Sequence, residues 1–363
     1  MTNKTLAIID IGSFSLPYDF YYINELSKQG YQVDFYCSNT KFNNEFFDQI
    51  KLNDNITLKL YDISTSVNNK FSSMLEYLRF LKDLLINYKN YQYIHFMWLG
   101  VMVIDIFLFL LVKRKLIFTF HNHIPHNKIK PYLPYKIVYK LAFKVLFVSN
   151  FTENEFLKKY KIAIDNKYYT FNHGLLPFNI TNEEEKSIKN VFEKTIVFWG
   201  NVKDYKGVDT LLSMVNDIRF NNWNIEVYGK WDKSLDNLKQ KMKKTNISVY
   251  DKFLSTDELD ILFKRDCIFI LPYKDATQSG VLYTLLNYSK VFISTDMGDN
   301  GDFLRKYHLD KLLFNRENID SIYSSIRFCK QNYSNIVNLL RDIRSKYEWS
   351  YTLKYIDRLY SDK

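Results

Sequence analysis

Two lysines lie in a short loop between a predicted strand and a predicted helix. Lys203 and Lys206 follow the strand Thr195–Trp199 and precede the helix Gly207–Ile218. Two ammonium groups on one loop suit a diphosphate, above all one that departs as a leaving group. Taken alone, however, this motif favours a simpler interpretation, two surface lysines among many.

A second polar loop follows the predicted strand Cys267–Leu271 and ends where a helix begins. Thr277, Gln278 and Ser279 supply hydrogen-bond donors there, and Gly280 opens the predicted helix. The free N–H groups and the dipole of a helix N-terminus favour an anion. Ser279 as a plain N-cap is the simpler interpretation, and the two are compatible.

Half of the six histidines fall within a few residues, directly after the predicted strand Leu116–Phe120. They are His121, His123 and His126. A zinc site needs three or four converging ligands, and no matching set of Cys, Asp or Glu accompanies these histidines. We therefore interpret the segment as a loop that contacts substrate. His173 repeats the pattern after another predicted strand, Tyr168–Phe171.

Short β-rich runs alternate with helical segments along the whole chain. The predicted strands are Leu6–Ile11, Val33–Cys37, Tyr93–Phe96, Leu116–Phe120, Val145–Val148 and Tyr168–Phe171, then Thr195–Trp199, Trp223–Tyr228, Ile247–Tyr250, Cys267–Leu271 and Val291–Ser294. Near-continuous apolar strands that alternate with helices predict parallel sheets covered on both faces. We predict two doubly wound α/β domains, residues 1–178 and 179–345. A C-terminal helix over 346–363 is expected to pack back on the first domain.

Glycine is scarce, with 10 in 363 residues, so its positions are informative. Gly12, Gly200 and Gly229 come just after predicted strands. Ligands of open α/β sheets bind beyond the carboxyl ends of the strands, where glycine lets the backbone approach them. A central cleft between two such edges is therefore the expected site.

Composition narrows the class of protein. The formal net charge is +10 with a pI near 9.1, which suits nucleic acid, anionic lipid or phosphorylated substrates. Three scattered cysteines without metal spacing are typical of reduced thiols in a cytoplasmic protein. The segment Phe96–Val112 is apolar but carries Asp105, which favours a buried helix over a membrane span.

Several common motifs are missing from the sequence. It contains no G-x-x-x-x-G-K-[ST], no G-x-G-x-x-G and no G-x-S-x-G. The metal-binding Asp-x-Asp of many sugar transferases is also absent. We therefore expect no metal and no cofactor, with a diphosphate held by lysines and a helix end.

Four segments together resemble one enzyme family. VFWGNVKDYKGVDTLL, LPYKDATQSGVLYTLLNYSKVFISTDMG, LIFTFHNHIPHN and YYTFNHGLLPF are similar to signatures of GT-B-fold glycosyltransferases of the large retaining family four, the glycosyl transferases group 1. The matches cover residues 116–298, whereas residues 1–115 match only as a strand–loop–helix pattern. The resemblance implies two Rossmann-like domains that face a central cleft.

The resemblance also assigns roles to residues of this chain. Lys203 and Lys206 match the basic pair that holds the donor diphosphate, although Lys203 stands where arginine is usual. Ser279 and Gly280 match the phosphate cradle, with Gly12 near the diphosphate although the usual Gly-Gly is absent. His121 matches the histidine that approaches the donor sugar. The remaining donor-binding candidates are Gly200, Gly229, Lys252, Phe253, Leu254, Thr277, Gln278 and Thr284, and the acceptor-binding candidates are Asp19, His123 and His126.

One departure concerns the donor. Many family members carry a glutamate that binds the donor ribose, but the corresponding position here is Thr284. No carboxylate stands at this position to bind the ribose, so the departure bears directly on the donor class. A non-catalytic GT-B subunit that scaffolds or activates a partner transferase is the alternative that this departure favours. A nucleic-acid binder ranks last, because no recognised binding motif is present.

The expected function is transfer of a sugar from a nucleotide diphosphate-sugar, UDP-sugar first, to a saccharide or lipid-linked acceptor in bacterial surface polysaccharide synthesis. The resemblance implies retention of the anomeric configuration. Inversion would need a side-chain base, for which Asp19 and the histidines of the 121–126 loop are candidates. We expect a cytoplasmic protein. Lys113–Lys115 and the segment Lys128–Lys144 are candidates for contact with an anionic membrane surface.

Overall fold

Two compact units make up the chain in a computed structural model. The structure describes residues 4–39, 44–63, 70–124, 132–163, 165–178, 192–276 and 279–361. The first unit consists of Met1–Gly174 and Tyr347–Lys363, and the second of Leu175–Lys346. The first unit thus ends at Gly174, whereas the boundary predicted from the sequence lies after residue 178. Phe178 belongs to the second unit because its ring packs against those of Phe263 and Tyr288, at centroid distances of 5.1 and 4.5 Å.

The first unit contains a parallel sheet with helices between its strands. The strands are β1 (Thr5–Asp10), β2 (Gln32–Ser38), β3 (Ile56–Tyr61), β4 (Tyr93–Phe96), β5 (Leu116–Phe120), β6 (Lys144–Phe147) and β7 (Tyr168–Thr170), in the order β3-β2-β1-β4-β5-β6-β7. The helices are α1 (Leu16–Lys28), α2 (Asn44–Lys51), α3 (Lys70–Asn87), α4 (Met102–Val112), α5 (Leu133–Leu141) and α6 (Asn150–Tyr160). Strand β3 was not predicted from the sequence, because this edge strand is buried mainly at its ends and carries polar Thr57 and Lys59 between them.

The second unit repeats the arrangement with a smaller sheet. Its strands are β8 (Thr195–Trp199), β9 (Asn224–Tyr228), β10 (Ile247–Tyr250), β11 (Ile268–Leu271), β12 (Phe292–Thr295) and β13 (Leu313–Phe314), in the order β10-β9-β8-β11-β12-β13. Its helices are α7 (Thr210–Val215), α8 (Asp236–Lys243), α9 (Thr256–Lys264), α10 (Gly280–Asn287), α11 (Gly298–Lys306) and α12 (Ile319–Arg344). The strand order reverses direction at β8 and β11, so these two strands form the switch point where α/β sheets bind ligands.

Gly207 does not open a helix, contrary to the prediction. It follows the 3-10 turn Asp204–Lys206 and has a φ of +65°. A φ in this range is left-handed and ends a helical turn rather than starting one. The helix begins later, at Thr210.

The C-terminal segment forms short turns instead of the predicted helix. It contains a four-residue helix, α13 (Trp349–Thr352), and a 3-10 turn at Ile356–Arg358. Backbone carbonyls there accept hydrogen bonds from side chains of the first unit: Gln29 donates to Leu353 at 3.3 Å and Lys144 to Leu359 at 2.9 Å. Because carbonyls can be satisfied in this way, a continuous helix is not needed.

Helix α4 is shorter and less buried than predicted. Phe96 ends β4, and the helix begins at Met102. Leu108, Phe109 and Val112 are buried, but other apolar residues of the same helix face solvent. No helix formed by the described residues combines the length and hydrophobicity needed to cross a bilayer.

Candidate functional site

Lys206 lies beyond the end of β8, at the switch point of the second sheet. The 3-10 turn Asp204–Lys206 holds it there, and its side chain folds back towards the sheet. The ammonium lies 5.6 Å from the centre of the Tyr273 ring. It also lies 3.0 Å from the point where a Cβ on Gly200 would stand, and Gly200 has a φ of +121°. A larger residue than glycine at this position would press on the lysine.

Lys206 is a buried cation without an acidic partner among the described residues. The residue is only 8% exposed, and its ammonium makes no ion pair or hydrogen bond with any described group. Burial lowers its pKa below that of an ordinary lysine, and the neighbouring Tyr205 opposes this shift. Buried charges in proteins are normally paired. The environment of Lys206 therefore fits an anionic ligand.

A second lysine joins the loop after β8 to the loop after β11. The backbone N–H of Lys274 donates to the carbonyl of Tyr205 at 2.8 Å. Its ammonium binds the carboxylates of Asp204 at 2.8 Å and Asp209 at 3.2 Å. These contacts hold the turn that carries Lys206 and the residue that precedes α7. Lys274 therefore positions the turn and is not available to a ligand.

Helix α10 starts beside the same loops. Ser279 is its N-cap and is buried, and its hydroxyl lies 3.1 Å from the Tyr273 hydroxyl instead of capping the helix. A Cβ on Gly200 would lie 3.3 Å from a methyl group of Val281, in the first turn of α10. The start of α10 and the ammonium of Lys206 are therefore both next to this glycine. Thr277 and Gln278, the other predicted donors of this loop, lie outside the described residues.

Thr284 turns its hydroxyl into its own helix. It donates to the carbonyl of Gly280 at 3.2 Å, and the residue is buried.

Gly229, directly after β9, supports the site: its φ is +145°, and a Cβ there would lie 1.9 Å from the carbonyl oxygen of Gly200. Glycine is therefore needed at position 229 for the loop after β8 to pass.

The remaining predicted donor contacts are more exposed. Lys203 is exposed. The pKa of the nearby Asp232 is lowered mainly by hydrogen bonds from Ser234 and to a smaller extent by the positive charge of Lys203. Lys252 forms an ion pair with Glu258, and the Phe253 side chain is 53% exposed. Leu254 follows it and is half-buried.

In the first unit, two buried carboxyls lie at the end of β1. The Ser15 hydroxyl lies 3.1 Å from an oxygen of Asp19, and the Ser15 backbone N–H donates to Asp10 at 2.9 Å. Burial raises the pKa of both carboxyls, and the neighbouring Asp10 raises that of Asp19 further. One Asp10 oxygen, Oδ1, has no partner in the described structure. Two carboxyls this close and this buried favour sharing a proton.

Trp98 connects this carboxyl pair to His121. Its indole N–H donates to the Ser15 hydroxyl at 2.8 Å. Its ring stacks on the imidazole of His121, with 4.5 Å between centroids and 5° between planes. Asp10 and Asp19 thus reach His121 through one serine and one indole.

His121 is a neutral histidine enclosed by rings. Tyr18 packs edge-on against it at 5.0 Å and against His173 at 4.8 Å. Burial, followed by the proximity of His173 and His95, places the pKa of His121 well below its usual range. Its Nε2 is buried without a partner in the described part of the chain. A neutral imidazole nitrogen of this kind can make a hydrogen bond to a sugar hydroxyl.

The other predicted residues of this edge are placed differently. Gly12 lies in the turn after β1, where a Cβ would stand 2.3 Å from the Phe14 ring. His123 is buried near Phe151, with 6.1 Å between ring centroids. His126 lies outside the described residues. Over the described ranges, no group of three His, Cys, Asp or Glu side chains could share a metal ion.

Four residues of these sites were not predicted from the sequence: Asp10, Ser15, Trp98 and Tyr273. All of them follow or end a strand at the carboxyl edge of its sheet: β1 for the first two, β4 for Trp98 and β11 for Tyr273. This position was the signal that could have identified them. Motif matching did not identify Asp10, Ser15 and Trp98, because they lie outside the four segments that carry the resemblance. Tyr273 lies within one of these segments, but a tyrosine there gives no sign of a functional role.

Comparison with known proteins supports one family. The sequence model described as Glycosyltransferase Family 4 matches residues 20–168, and the one described as Glycosyl transferases group 1 matches residues 179–346. Together they cover most of the chain. A search of curated proteins finds no matching sequence.

Solved structures with the same fold cover nearly the whole chain. HepE from Anabaena in complex with UDP and glucose has a TM-score of 0.72 at 11% identity, covering 98% of each chain. The E. coli trehalose-6-phosphate protein bound with UDP-2-fluoro glucose has a TM-score of 0.70 at 12% identity, covering 99% of each. WaaG, a glycosyltransferase involved in lipopolysaccharide biosynthesis, has a TM-score of 0.62 at 9% identity, covering 98% of this chain and 99% of its own.

These similarities confirm the fold class and the family that the sequence motifs indicated. The two parallel sheets with their helices are the evidence for the fold, and the two family matches are the evidence that the chain is a glycosyltransferase. The chain is a glycosyltransferase with the two-domain GT-B fold and belongs to the glycosyl transferases group 1.

Proposed function

We propose that the second unit binds a nucleoside diphosphate-sugar, with UDP-sugar as the donor, and that Lys206 holds its diphosphate. The observation that carries this proposal is the buried ammonium of Lys206, which has no acidic partner among the described residues. Similar structures that contain UDP support uridine as the base. Gly200 and Gly229 keep side chains out of the space beside the lysine.

In this proposal the start of helix α10 completes the diphosphate site. The N–H groups of its first turn and the helix dipole favour a phosphate at Ser279 and Gly280. The exposed Lys203 adds a second positive charge from the same loop as Lys206. These groups stabilise the negative charge that grows on the diphosphate as it leaves, so the reaction proceeds without a metal.

The transfer itself breaks the bond between the anomeric carbon and the diphosphate oxygen. The acceptor hydroxyl forms the new bond, and its proton passes to an oxygen of the leaving phosphate. Attack on the face that the diphosphate leaves retains the anomeric configuration. His121 contacts the donor sugar as a neutral hydrogen-bonding group, and Asp19 and His123 belong to the acceptor side.

We further propose that the acceptor is a saccharide or a lipid-linked saccharide used in bacterial surface polysaccharide synthesis. The structural similarity to WaaG supports this class of pathway. The three cysteines, all free and buried, are consistent with a reaction on the cytoplasmic side, where thiols stay reduced.

Nucleotide binding tests the donor proposal directly. Titration calorimetry of the purified protein with UDP, GDP, ADP, CMP and dTDP, in the presence of EDTA, should show binding of UDP above the others. Binding of none of them would contradict the donor proposal, and binding only after addition of a divalent metal would contradict metal independence. The product anomer, measured by NMR, tests retention.

Substitution of Lys206 tests the residue that carries the proposal. Lys206→Met keeps an unbranched side chain of nearly the same length and removes its charge, so turnover should fall by about 10²–10³, the usual loss for one electrostatic contact to a leaving group. Lys244→Met, at an exposed lysine of the same unit, is the matched control and should change nothing. Normal turnover in Lys206→Met would remove Lys206 from the mechanism.

A further inference from the structure

Helix α4 has its charged residue on the inside and apolar residues on the outside. Asp105 is fully buried and accepts hydrogen bonds from the Tyr77 hydroxyl and, at 2.7 Å, from the backbone N–H of Gly100. Phe107 and Leu111 face outwards and are 66% and 70% exposed. A helix on the surface of a water-soluble domain normally shows the opposite arrangement, with polar residues outside.

The outward side of α4 is apolar along its whole length. Val103, Leu110 and the two residues just named are exposed, and Ile104 is half-buried between them. None of these side chains can make a hydrogen bond. Whatever covers this side must therefore offer apolar groups rather than hydrogen-bonding ones, as the boundary between the headgroups and acyl chains of a bilayer does.

The neighbouring helix α3 extends the apolar surface. It lies beside α4, because its Tyr77 is the residue that binds Asp105. Phe71, Leu75 and Leu78 are exposed at helical spacing on its outer side, and Ile86 is exposed near its end. Two adjacent helices of the first unit thus present exposed apolar side chains.

Free positive charges accompany these side chains. Lys82 on α3, and Lys113 and Arg114 directly after α4, are exposed and form no ion pair with any described residue. The acidic residues of α3 offset only part of this charge: Glu76 pairs with Arg79 at 3.4 Å, and Asp83, which accepts a hydrogen bond from the Tyr61 hydroxyl at 2.7 Å, contributes one negative charge. The surface therefore combines apolar side chains with a net positive charge.

We propose that the outward sides of α3 and α4 dock the enzyme on the surface of an anionic lipid bilayer. The apolar side chains enter the boundary between headgroups and acyl chains, and Lys82, Lys113 and Arg114 contact lipid phosphates. At 11 residues α4 is too short to cross a bilayer, so it lies in the plane of the interface.

This surface differs from the basic segments Lys113–Lys115 and Lys128–Lys144 that the sequence suggested for membrane contact. Lys115 is committed to the protein, because its ammonium donates to the carbonyls of Tyr88 and Lys89 at 3.3 and 3.2 Å. Lys144 is buried and donates to the carbonyl of Leu359. Residues 128–131 lie outside the described residues. Only Lys113 and Arg114 of the original candidates take part.

Vesicle sedimentation tests the proposal, using phosphatidylcholine vesicles with and without phosphatidylglycerol at low and high salt. Wild-type protein should bind the anionic vesicles and lose affinity as salt rises. The double variant Phe107→Ser/Leu111→Ser should lose at least about tenfold in binding, because two apolar side chains no longer enter the interface. Its control is Ile218→Ser/Ile261→Ser, two residues of the second unit with similar exposure.

Charge is tested separately. Lys113→Glu/Arg114→Glu should abolish the preference for anionic vesicles, whereas Lys243→Glu/Lys244→Glu, an exposed basic pair on the second unit, should retain it. Thermal stability and UDP binding of each variant are measured in parallel, so that a folding defect is distinguished from lost docking. This proposal does not depend on the donor assignment.

Three results would overturn the proposal. One is failure of the wild-type protein to bind either kind of vesicle. Another is equal loss in the test and control variants, which would indicate a non-specific effect of charge or hydrophobicity. The third is a concentration-dependent dimer that Phe107→Ser/Leu111→Ser dissociates, which would assign the surface to a second copy of the chain.

Discussion

At the scale of single residues, Trp98 has the clearest positioning role in the first unit. It makes one hydrogen bond to Ser15 and one ring stack on His121. Trp98→Phe preserves a ring for the stack and removes the indole N–H. We expect kcat to fall about tenfold, the value of one lost hydrogen bond, with little change in the KM for the donor. Steady-state kinetics with varied donor concentration measures both.

The control for Trp98 is a second tryptophan remote from both strand edges. Trp223→Phe changes a buried residue of the second unit that packs near Phe192. It should leave kcat unchanged. If both variants lose activity equally, or if Trp98→Phe raises KM alone, Trp98 does not position His121.

The carboxyl pair of Asp10 and Asp19 should make stability depend on pH. Both pKa values are raised in the folded state, mainly by burial, so the folded protein binds protons more tightly than the unfolded chain. Their stabilising contribution is present below the ordinary carboxyl pKa and is lost as pH rises through the folded-state values. Asp19→Asn should therefore stabilise the protein at pH 8, by roughly 1–3 kcal/mol, and have little effect near pH 4.

Urea denaturation at several pH values measures this difference. Asp217→Asn is the control with the opposite sign, because hydrogen bonds from Arg219 lower the pKa of Asp217 to about 2. That variant should lose stability at neutral pH and approach wild type in acid. A pH-independent effect of Asp19→Asn would show that the two carboxyls do not share a proton.

At the scale of elements, Gly207 determines how the loop after β8 meets the loop after β11. A Cβ at this position would stand 1.9 Å from the carbonyl oxygen of Pro272, and φ is +65°. Gly207→Ala should cost about 2–4 kcal/mol of unfolding free energy, because strain and a backbone clash add. Donor affinity should fall as well, since Lys206 is the neighbouring residue.

Gly30→Ala distinguishes backbone strain from the clash with Pro272 as the cause of the lost stability. Gly30 also has a left-handed φ, +86°, but nothing lies within 4 Å of its Cβ position. Its substitution should cost only about 1 kcal/mol, the price of the backbone conformation. Equal losses in the two variants, measured by urea denaturation, would contradict the clash with Pro272.

The elements themselves were largely predictable from local patterns. Strands such as β5 and β8 are apolar at all but one position each, and a short run of this kind needs only burial on both faces. The edge strand β3 was missed because only part of it is buried. The orientation of α4 could not be predicted, since its residues are almost all apolar and periodicity cannot then distinguish inside from outside.

At the scale of the whole molecule, the chain returns to its first unit at its C-terminus. The Tyr360 hydroxyl lies 2.8 Å from that of Tyr22 and 2.6 Å from Nδ1 of His95, all of them buried. Tyr360→Ala should destabilise the first unit by about 3–5 kcal/mol, as expected for a large buried aromatic residue. Tyr360→Phe should cost less, because only the hydrogen bonds are lost.

Hydrogen exchange followed by mass spectrometry locates the effect. Amides of β1, β2 and β4 should exchange faster in Tyr360→Ala, while those of β8 and β11 should keep their wild-type protection. Uniform acceleration in both units would show that the two units unfold together.

The sequence by itself determined the family, the two parallel α/β sheets and the loops that carry Lys206, Ser279 and His121, because these depend on local hydrophobic patterns and on short motifs. Only the tertiary structure decided which residues are buried without a partner. Lys203 and Lys206 look alike in sequence, yet one is exposed and the other is enclosed by Tyr273 and Gly200. On α4, the charged Asp105 is buried and the apolar Phe107 is exposed, the reverse of the usual arrangement. The physical reason is the same, because burial depends on neighbours that are distant in sequence, such as Tyr77.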